Sequence, residues 1–256
     1  MMLMLRAAQT SRLLIRRAGT LAPRALFTSD SDPPTISRFA SPATADHLPA
    51  HLQDRLAEVS DKAGFTPNIF KALWRRPAEL EAFWDYHDAV MEETDELSKA
   101  DREAIVVATS GENRCHYCCV AHGAISRVYS KKPHLSDQLA NNYRKADISD
   151  RERAMLDFAV KVSQEAQAIG DDDFAKLAAA GFSDEAAWDI ASVASFFAMS
   201  NRLANVMALR PNDEFYQMGR EPRKQKQQEE PAAGEDAAPP KGKGDDGGES
   251  PDVIHL

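Results

Sequence analysis

The chain has 256 residues, a formal net charge of −9 and 43% hydrophobic residues, enough apolar content to bury one large core or two small ones. The acidic balance argues against a nucleic-acid or anionic-membrane partner, because a phosphate surface selects for an excess of Lys and Arg. No run approaches the roughly 20 consecutive apolar residues that span a bilayer, so a soluble protein is expected.

Residues 1 to 29 carry Arg6, Arg12, Arg16, Arg17 and Arg24, several Ser and Thr, and no acidic residue before Asp30. Leu13, Leu14 and Ile15 lie between the basic positions. This pattern predicts a mitochondrial transit peptide and linker over 1–36, and with it a location in the matrix. A secretory signal would need an unbroken apolar centre, and arginines interrupt every candidate. A basic tail without an address is the alternative reading.

Beyond it, helix signals recur and strand signals do not. Leu52, Leu56 and Val59 share one face of a helix ending before Gly64-Phe65-Thr66-Pro67, and a short helix restarts at Asn68 and runs to Trp74. Pro77 suits the first position of a helix reaching about Glu93, with Leu80, Phe83, Trp84 and Val90 on its inner face. Ser98 to Asp101 forms a capping box for a helix through Ala108, and Ser149 to Glu152 forms one for 150 to 168. A further helix opens near Cys115. Phe174 to Ala180 stops at Gly181, and Ser183 caps a long apolar helix to about Leu209, before Pro211. These elements predict an all-α fold, a single-domain bundle of about eight helices over 37–218. From 219 to 256 Pro, Gly and charged residues dominate. Such a segment buries too little apolar surface to offset its ordering entropy, so a disordered tail is expected.

All three cysteines, Cys115, Cys118 and Cys119, fall within five positions, a distribution that suits a site rather than a disulfide framework. If Cys115 starts a helix, Cys115 and Cys118 meet on one face at disulfide distance. The orphan N–H groups and positive dipole end there favour thiolate over thiol. His122 lies one turn beyond Cys118 on the same face and can take the thiol proton, with Ile125 completing the stripe. Glu103 shares a face with Ala100, Val106 and Val107, which places a carboxylate on an apolar surface where it needs a partner. Pairing with His122 would complete a relay from carboxylate to imidazole to thiol.

The spacing of Glu103, Cys115-His116-Tyr117-Cys118 and His122 resembles the alkylhydroperoxidase D (AhpD) and carboxymuconolactone decarboxylase superfamily, in its peroxidase-related branch. The resemblance extends more loosely over 60 to 215, including Gly64 to Asn68 and Asn201 to Asn205. It implies an all-helical fold assembled as trimers or hexamers. It further implies Cys118 as the peroxidatic cysteine that becomes a sulfenic acid, Cys115 as the resolving cysteine, and Glu103 with His122 as the proton relay, directly or through water. AhpD carries a histidine where this chain has Tyr117, so that histidine's duty has no counterpart here. Tyr117 is a candidate for hydrogen bonding to a peroxide oxygen. Cys119 points about 100° away around the helix and reads as a small buried apolar residue. His116 reads as solvent-facing.

The partners expected are a hydroperoxide and an external dithiol reductant, of the lipoyl or thioredoxin type by analogy with the mitochondrial address. The competing reading is a zinc site built on Cys115, Cys118 and His122, with Cys119, His116 or Glu103 as fourth ligand. No second Cys or His pair at finger-like spacing supports it, and a large helical core does not require a metal to fold. A non-enzymatic redox sensor or scaffold is the third reading. A c-type haem is excluded because Cys119 stands where its histidine would follow the second cysteine. No Gly-rich phosphate loop appears, so no NAD, FAD or ATP cofactor is implied. Trp188 to Met207, with Phe196, Phe197 and Met199, reads as core or subunit interface. Asn201, Arg202 and Asn205 read first as structural polar residues within it.

Overall fold

The computed structural model describes residues 35–220. The expected transit peptide and nearly all of the expected tail lie outside the described residues. Among the described residues all regular structure is helical. There are ten α-helices: α1 (Ala50–Ala63), α2 (Asn68–Leu73), α3 (Pro77–Met91), α4 (Lys99–Glu112), α5 (His116–Ser130), α6 (Leu135–Asn142), α7 (Asp150–Glu165), α8 (Asp171–Ala179), α9 (Asp184–Met207) and α10 (Glu214–Gln217).

Local chemistry accounts for most of the boundaries. Leu52, Leu56 and Val59 are buried along α1, and burying each is worth about 1.5–3 kcal/mol. The helix ends at Gly64, whose φ of 81° lies in the left-handed region. The turn to Asn68 is then pinned from a distance: the Asn68 backbone N–H donates to Asn212 Oδ1 at 2.8 Å, and Asn68 Nδ2 donates to the Arg210 carbonyl at 2.9 Å. Reciprocal capping boxes open α4 (Ser98 with Asp101) and α7 (Ser149 with Glu152), and the Ser183 hydroxyl caps α9. Each such cap contributes about 1 kcal/mol.

Two helices go beyond the eight expected, α6 and α10, and α4 runs past Ala108 to Glu112. Thr109, Ser110 and Gly111 are weak helix formers, but tertiary packing holds them in the helix. The Thr109 hydroxyl donates to the Ile105 carbonyl at 2.7 Å, and α6 crosses so closely that a Cβ at Gly111 would collide with the Ala140 carbonyl. Packed contacts continue to the last described residues. Arg127, buried in α5, donates to the Met218 and Phe215 carbonyls, and Arg220 grips Asp137 with both terminal nitrogens.

The core has two parts. One joins α4, α6, α7, α8 and α9 through residues such as Ile105, Met155, Leu156 and Val193. The other gathers α1, α2, α3, α5 and the chain after α9 through Leu52, Phe70, Trp84, Ile125 and Phe215. Phe83 packs against both. Buried Arg102 ties α4 to α9 through Asp189 at 2.6 Å and to the end of α3 through the Val90 carbonyl at 2.7 Å. The α4–α5 pair lies where the two parts meet, and the cysteines sit at its turn.

Candidate active site

The connection from α4 to α5 is as short as a helical hairpin permits. The Asn113 N–H returns to the Thr109 carbonyl and the Cys115 N–H to the Ser110 carbonyl, each at 2.9 Å. Arg114 between them adopts φ 53°, a left-handed conformation that costs a non-glycine residue about 1 kcal/mol. This reversal makes Cys115 the N-cap of α5 and lays α5 back along α4. Glu103 on α4 thereby meets His122 on α5, with Oε2 3.0 Å from Nδ1. Both side chains are buried. An ionised carboxylate can only accept, so Nδ1 carries the hydrogen and Nε2 is left as the acceptor. The structure thus unites the carboxylate and imidazole that the sequence reading paired.

Cys115 and Cys118 are buried and unbridged, and Cys119 is half-buried. A hydrogen bond from the Cys118 thiol holds the Cys115 thiol below its ordinary pKa against the opposing effect of burial, and the Cys118 backbone N–H adds to it. Cys118 moves the other way. Its hydrogen bond to Cys115, burial and the neighbouring negative sulfur raise it well above the ordinary thiol value. Of the two, Cys115 is therefore the more readily ionised sulfur, whereas the spacing alone points to a Cys118 thiolate. The reason is positional: the N-cap sulfur receives donors from the first turn, and the sulfur one turn deeper supplies one of them. Cys119 is pushed up to about 12 by burial and by Cys115, so it stays a protonated thiol. His116 is exposed, as expected, and its Nε2 lies 3.0 Å from the Tyr216 hydroxyl.

Two further residues belong to the site. Asn201 of α9 is fully buried, accepts from Asn113 and donates to Ser110, each at 2.9 Å. Its amide also lies close enough to the two reactive sulfurs to favour the anion on each. The sequence reading gave Asn201 a structural role, and it has one beside the thiols. His87 of α3 escaped that reading. Its signal was present: it continues the inner stripe of Leu80 and Trp84 at helical spacing. His87 is buried, its Nδ1 is 3.0 Å from Asp88 Oδ1, and its ring centroid is 6.2 Å from that of His122.

The two sulfurs open in different directions. Cys118 lines a cavity of about 30 Å³ with His87, His122, Tyr117, Trp84 and Phe197. Tyr117 is buried there, its hydroxyl oxygen accepts the Ile69 N–H at 3.2 Å, and burial raises its pKa. Phe197 sets its ring edge-on to His122 at 4.7 Å. Cys115 instead lines a cleft of about 530 Å³ with Cys119, Arg114, His116, Asn141 and Arg220. Among the described residues, no three His, Cys, Asp or Glu side chains converge as a metal site.

The carboxymuconolactone decarboxylase family model matches residues 77–134, from the start of α3 to just beyond α5. The match therefore contains Glu103, Cys115, Cys118, His122 and His87. No curated protein matches the chain. A crystal structure described as an alkylhydroperoxidase AhpD core, an uncharacterized peroxidase-related protein from Ralstonia eutropha JMP134, is 53% identical over 74% of this chain and 99% of its own, with a TM-score of 0.72. An uncharacterized peroxidase-related protein from Silicibacter sp. TM1040 is 38% identical over 75% of this chain and 100% of its own, with a TM-score of 0.70. The debrominase Bmp8, in complex with 2,3,4-tribromopyrrole, is 20% identical over 65% of this chain and 88% of its own with a TM-score of 0.53, a likeness of fold alone. On its near-complete coverage of these first two relatives, the chain belongs to the carboxymuconolactone decarboxylase superfamily, in its AhpD-like group.

Proposed function

We propose that this protein is a thiol-dependent peroxidase that reduces hydroperoxides at Cys118. The observation that carries the reading is a close pair of thiols at the start of α5, the outer one the more readily ionised, with a carboxylate-braced imidazole beside the deeper sulfur. In the first step His122 Nε2 takes the proton of Cys118. The sulfur attacks the terminal peroxide oxygen, the O–O bond breaks, and the departing alkoxide or hydroxide takes that proton and leaves as alcohol or water. Cys118 is now a sulfenic acid. The Cys115 thiolate attacks its sulfur, hydroxide leaves and is protonated by solvent, and a Cys115–Cys118 disulfide results. An external dithiol then reduces that disulfide and is itself oxidised, restoring the reduced pair.

Cavity dimensions sharpen the substrate. A water-sized centre needs roughly 10–15 Å³ of such space, so about 30 Å³ admits the two oxygens of a peroxide and leaves an alkyl group outside. The cleft beside Cys115 has the volume of a small-molecule site, which suits a dithiol reductant, for example a lipoyl arm, approaching from the other face. We further propose that residues 1–36 direct the chain to mitochondria and that it is a homo-oligomer. Exposed Trp188, Met199, Leu203 and Val206 along α9 support an apolar subunit contact.

The test is stopped-flow reduction of hydrogen peroxide and of a small organic hydroperoxide, with dithiol in excess. Wild type should turn over, and Cys118→Ser should fall to the uncatalysed background. Equal, slow rates for both proteins, together with stoichiometric zinc in the purified wild type, would replace the peroxidase reading with a metal site.

A further inference from the structure

The cavity at Cys118 is flanked by two imidazoles, and each is braced by its own carboxylate. His122 of α5 is held by Glu103 of α4 at 3.0 Å, and His87 of α3 by Asp88 at 3.0 Å. Asp88 is in turn fixed by Arg55 of α1, whose Nη2 donates to its other oxygen at 2.6 Å. Arg55 lies over the Trp84 ring, 4.2 Å from its centroid. Two helices thus combine to orient one histidine that the thiol chemistry above does not use. An imidazole on an apolar helix face is ordinarily a core residue with its polar atoms satisfied. His87 departs from that pattern. Its Nδ1 is engaged, no hydrogen bond to its Nε2 is present among the described residues, and its ring lines the cavity with Cys118.

The protonation chemistry follows from the partners. Asp88 is an anion held low by its bonds to His87 and Arg55, against the opposing effect of its own partial burial, so it accepts the hydrogen of His87 Nδ1. That tautomer leaves the Nε2 lone pair as an acceptor. The charged and titratable groups facing His87 are Asp88 on its own helix, Arg55 on α1, Glu103 on α4, and Tyr117, Cys118 and His122 on α5. Burial outweighs its bond to Asp88 and holds the His87 pKa below its ordinary value, so the neutral imidazole is the favoured form.

We propose that His87 is a second catalytic imidazole of the peroxide site, accepting the hydrogen bond of the substrate O–OH group through Nε2 and aiming its terminal oxygen at Cys118. The proposal rests on the peroxidase reading and divides the labour within it. His122 handles the thiol proton, and His87 handles the peroxide hydroxyl. The bond changes are those given above: the hydroxyl hydrogen held by His87 stays on the oxygen transferred to sulfur, so His87 neither gains nor loses a proton over the step.

The experiment compares wild type, His87→Asn, His87→Phe and Asp88→Asn in two single-turnover reactions of reduced protein followed by peptide mass spectrometry. One is oxidation of Cys118 by hydrogen peroxide. The other is alkylation of Cys118 by iodoacetamide, which needs the thiolate but presents no hydroxyl, run in a Cys115→Ser background so that the more readily ionised Cys115 does not consume the reagent. His87→Phe and His87→Asn should lose about 10²-fold in the peroxide rate, the lower end of what a positioned proton partner contributes. Their alkylation rates should stay within about 3-fold of wild type, and Asp88→Asn should lose about 10-fold in the peroxide rate alone. A merely structural role would move both rates together. Equal losses in both reactions, or a parental peroxide rate in both His87 variants, would overturn the role of His87 while leaving the peroxidase intact. A wild type that alkylates but does not react with peroxide would remove the peroxidase reading and this proposal with it.

Discussion

The two sides of the dithiol are built on opposite principles. On the Cys118 side, aromatic rings and two braced imidazoles close around about 30 Å³, and the sulfur keeps its proton. On the Cys115 side, a cleft of about 530 Å³ is rimmed by Arg114, His116 and Arg220, and the sulfur is the more readily ionised of the two. Two thiols separated by three residues can therefore serve unlike partners, because one turn of helix turns them toward different surroundings. On the proposed reading the small side selects for size and controls protons. On the same reading the open side admits a bulkier thiol, which attacks the Cys115 sulfur of the disulfide and expels the Cys118 sulfur, to be protonated as it leaves. A CxxC motif on its own does not carry this asymmetry; it arises from what α3 and α9 place on one side and α6 and α10 on the other.

The largest effect that would break this comparison is expected at Glu103. Replacing it by Gln keeps the shape but removes the carboxylate that fixes the His122 tautomer. The peroxide step should slow by about 10²-fold or more, whereas reduction of the preformed disulfide by dithiol should change by less than about 3-fold. Single-turnover kinetics of the two half-reactions separates them. An equal loss in both would mean that the two sides are not independent.

A smaller effect sharpens the cleft side. With its pKa lowered, Cys115 remains a thiolate as pH falls through the usual thiol range, and its reactivity is lost only below the lowered value. Cys119, pushed up to about 12, is protonated throughout. Near pH 7.5 iodoacetamide should label Cys115 at least about 10-fold faster than Cys119, even though both line the same cleft. Cys118→Ala removes the principal donor to the Cys115 sulfur. It should therefore shift the pH midpoint of Cys115 labelling upward, measured by quantitative peptide mass spectrometry.

Much of this was legible before any coordinates. The caps at Ser98, Ser149 and Ser183, the stop at Gly64 and the stripes of α1 and α3 are local signals, and each lies where its chemistry places it. The pairing of Glu103 with His122 was also readable, because a carboxylate on an apolar face demands a partner. What escaped depends on distant segments. The continuation of α4 through Gly111 is decided by the Ala140 backbone of α6, and the extra helix α10 is held by Arg127. The position of the thiol proton depends on which sulfur receives the other's hydrogen bond, which spacing alone does not specify. His87 was hidden in plain periodicity, since an inner stripe read only for apolar residues passes over a buried histidine.

The most direct test of the two-sided site is to locate the first oxygen. Cys115→Ser and Cys118→Ser proteins, reduced and mixed with one equivalent of hydrogen peroxide, are digested, and the oxygen-bearing cysteine is identified by peptide mass spectrometry. The account predicts rapid oxygen addition at Cys118 in Cys115→Ser, and no comparable reaction at Cys115 in Cys118→Ser. Oxygen arriving at Cys115 in Cys118→Ser as fast as at Cys118 in Cys115→Ser would contradict it.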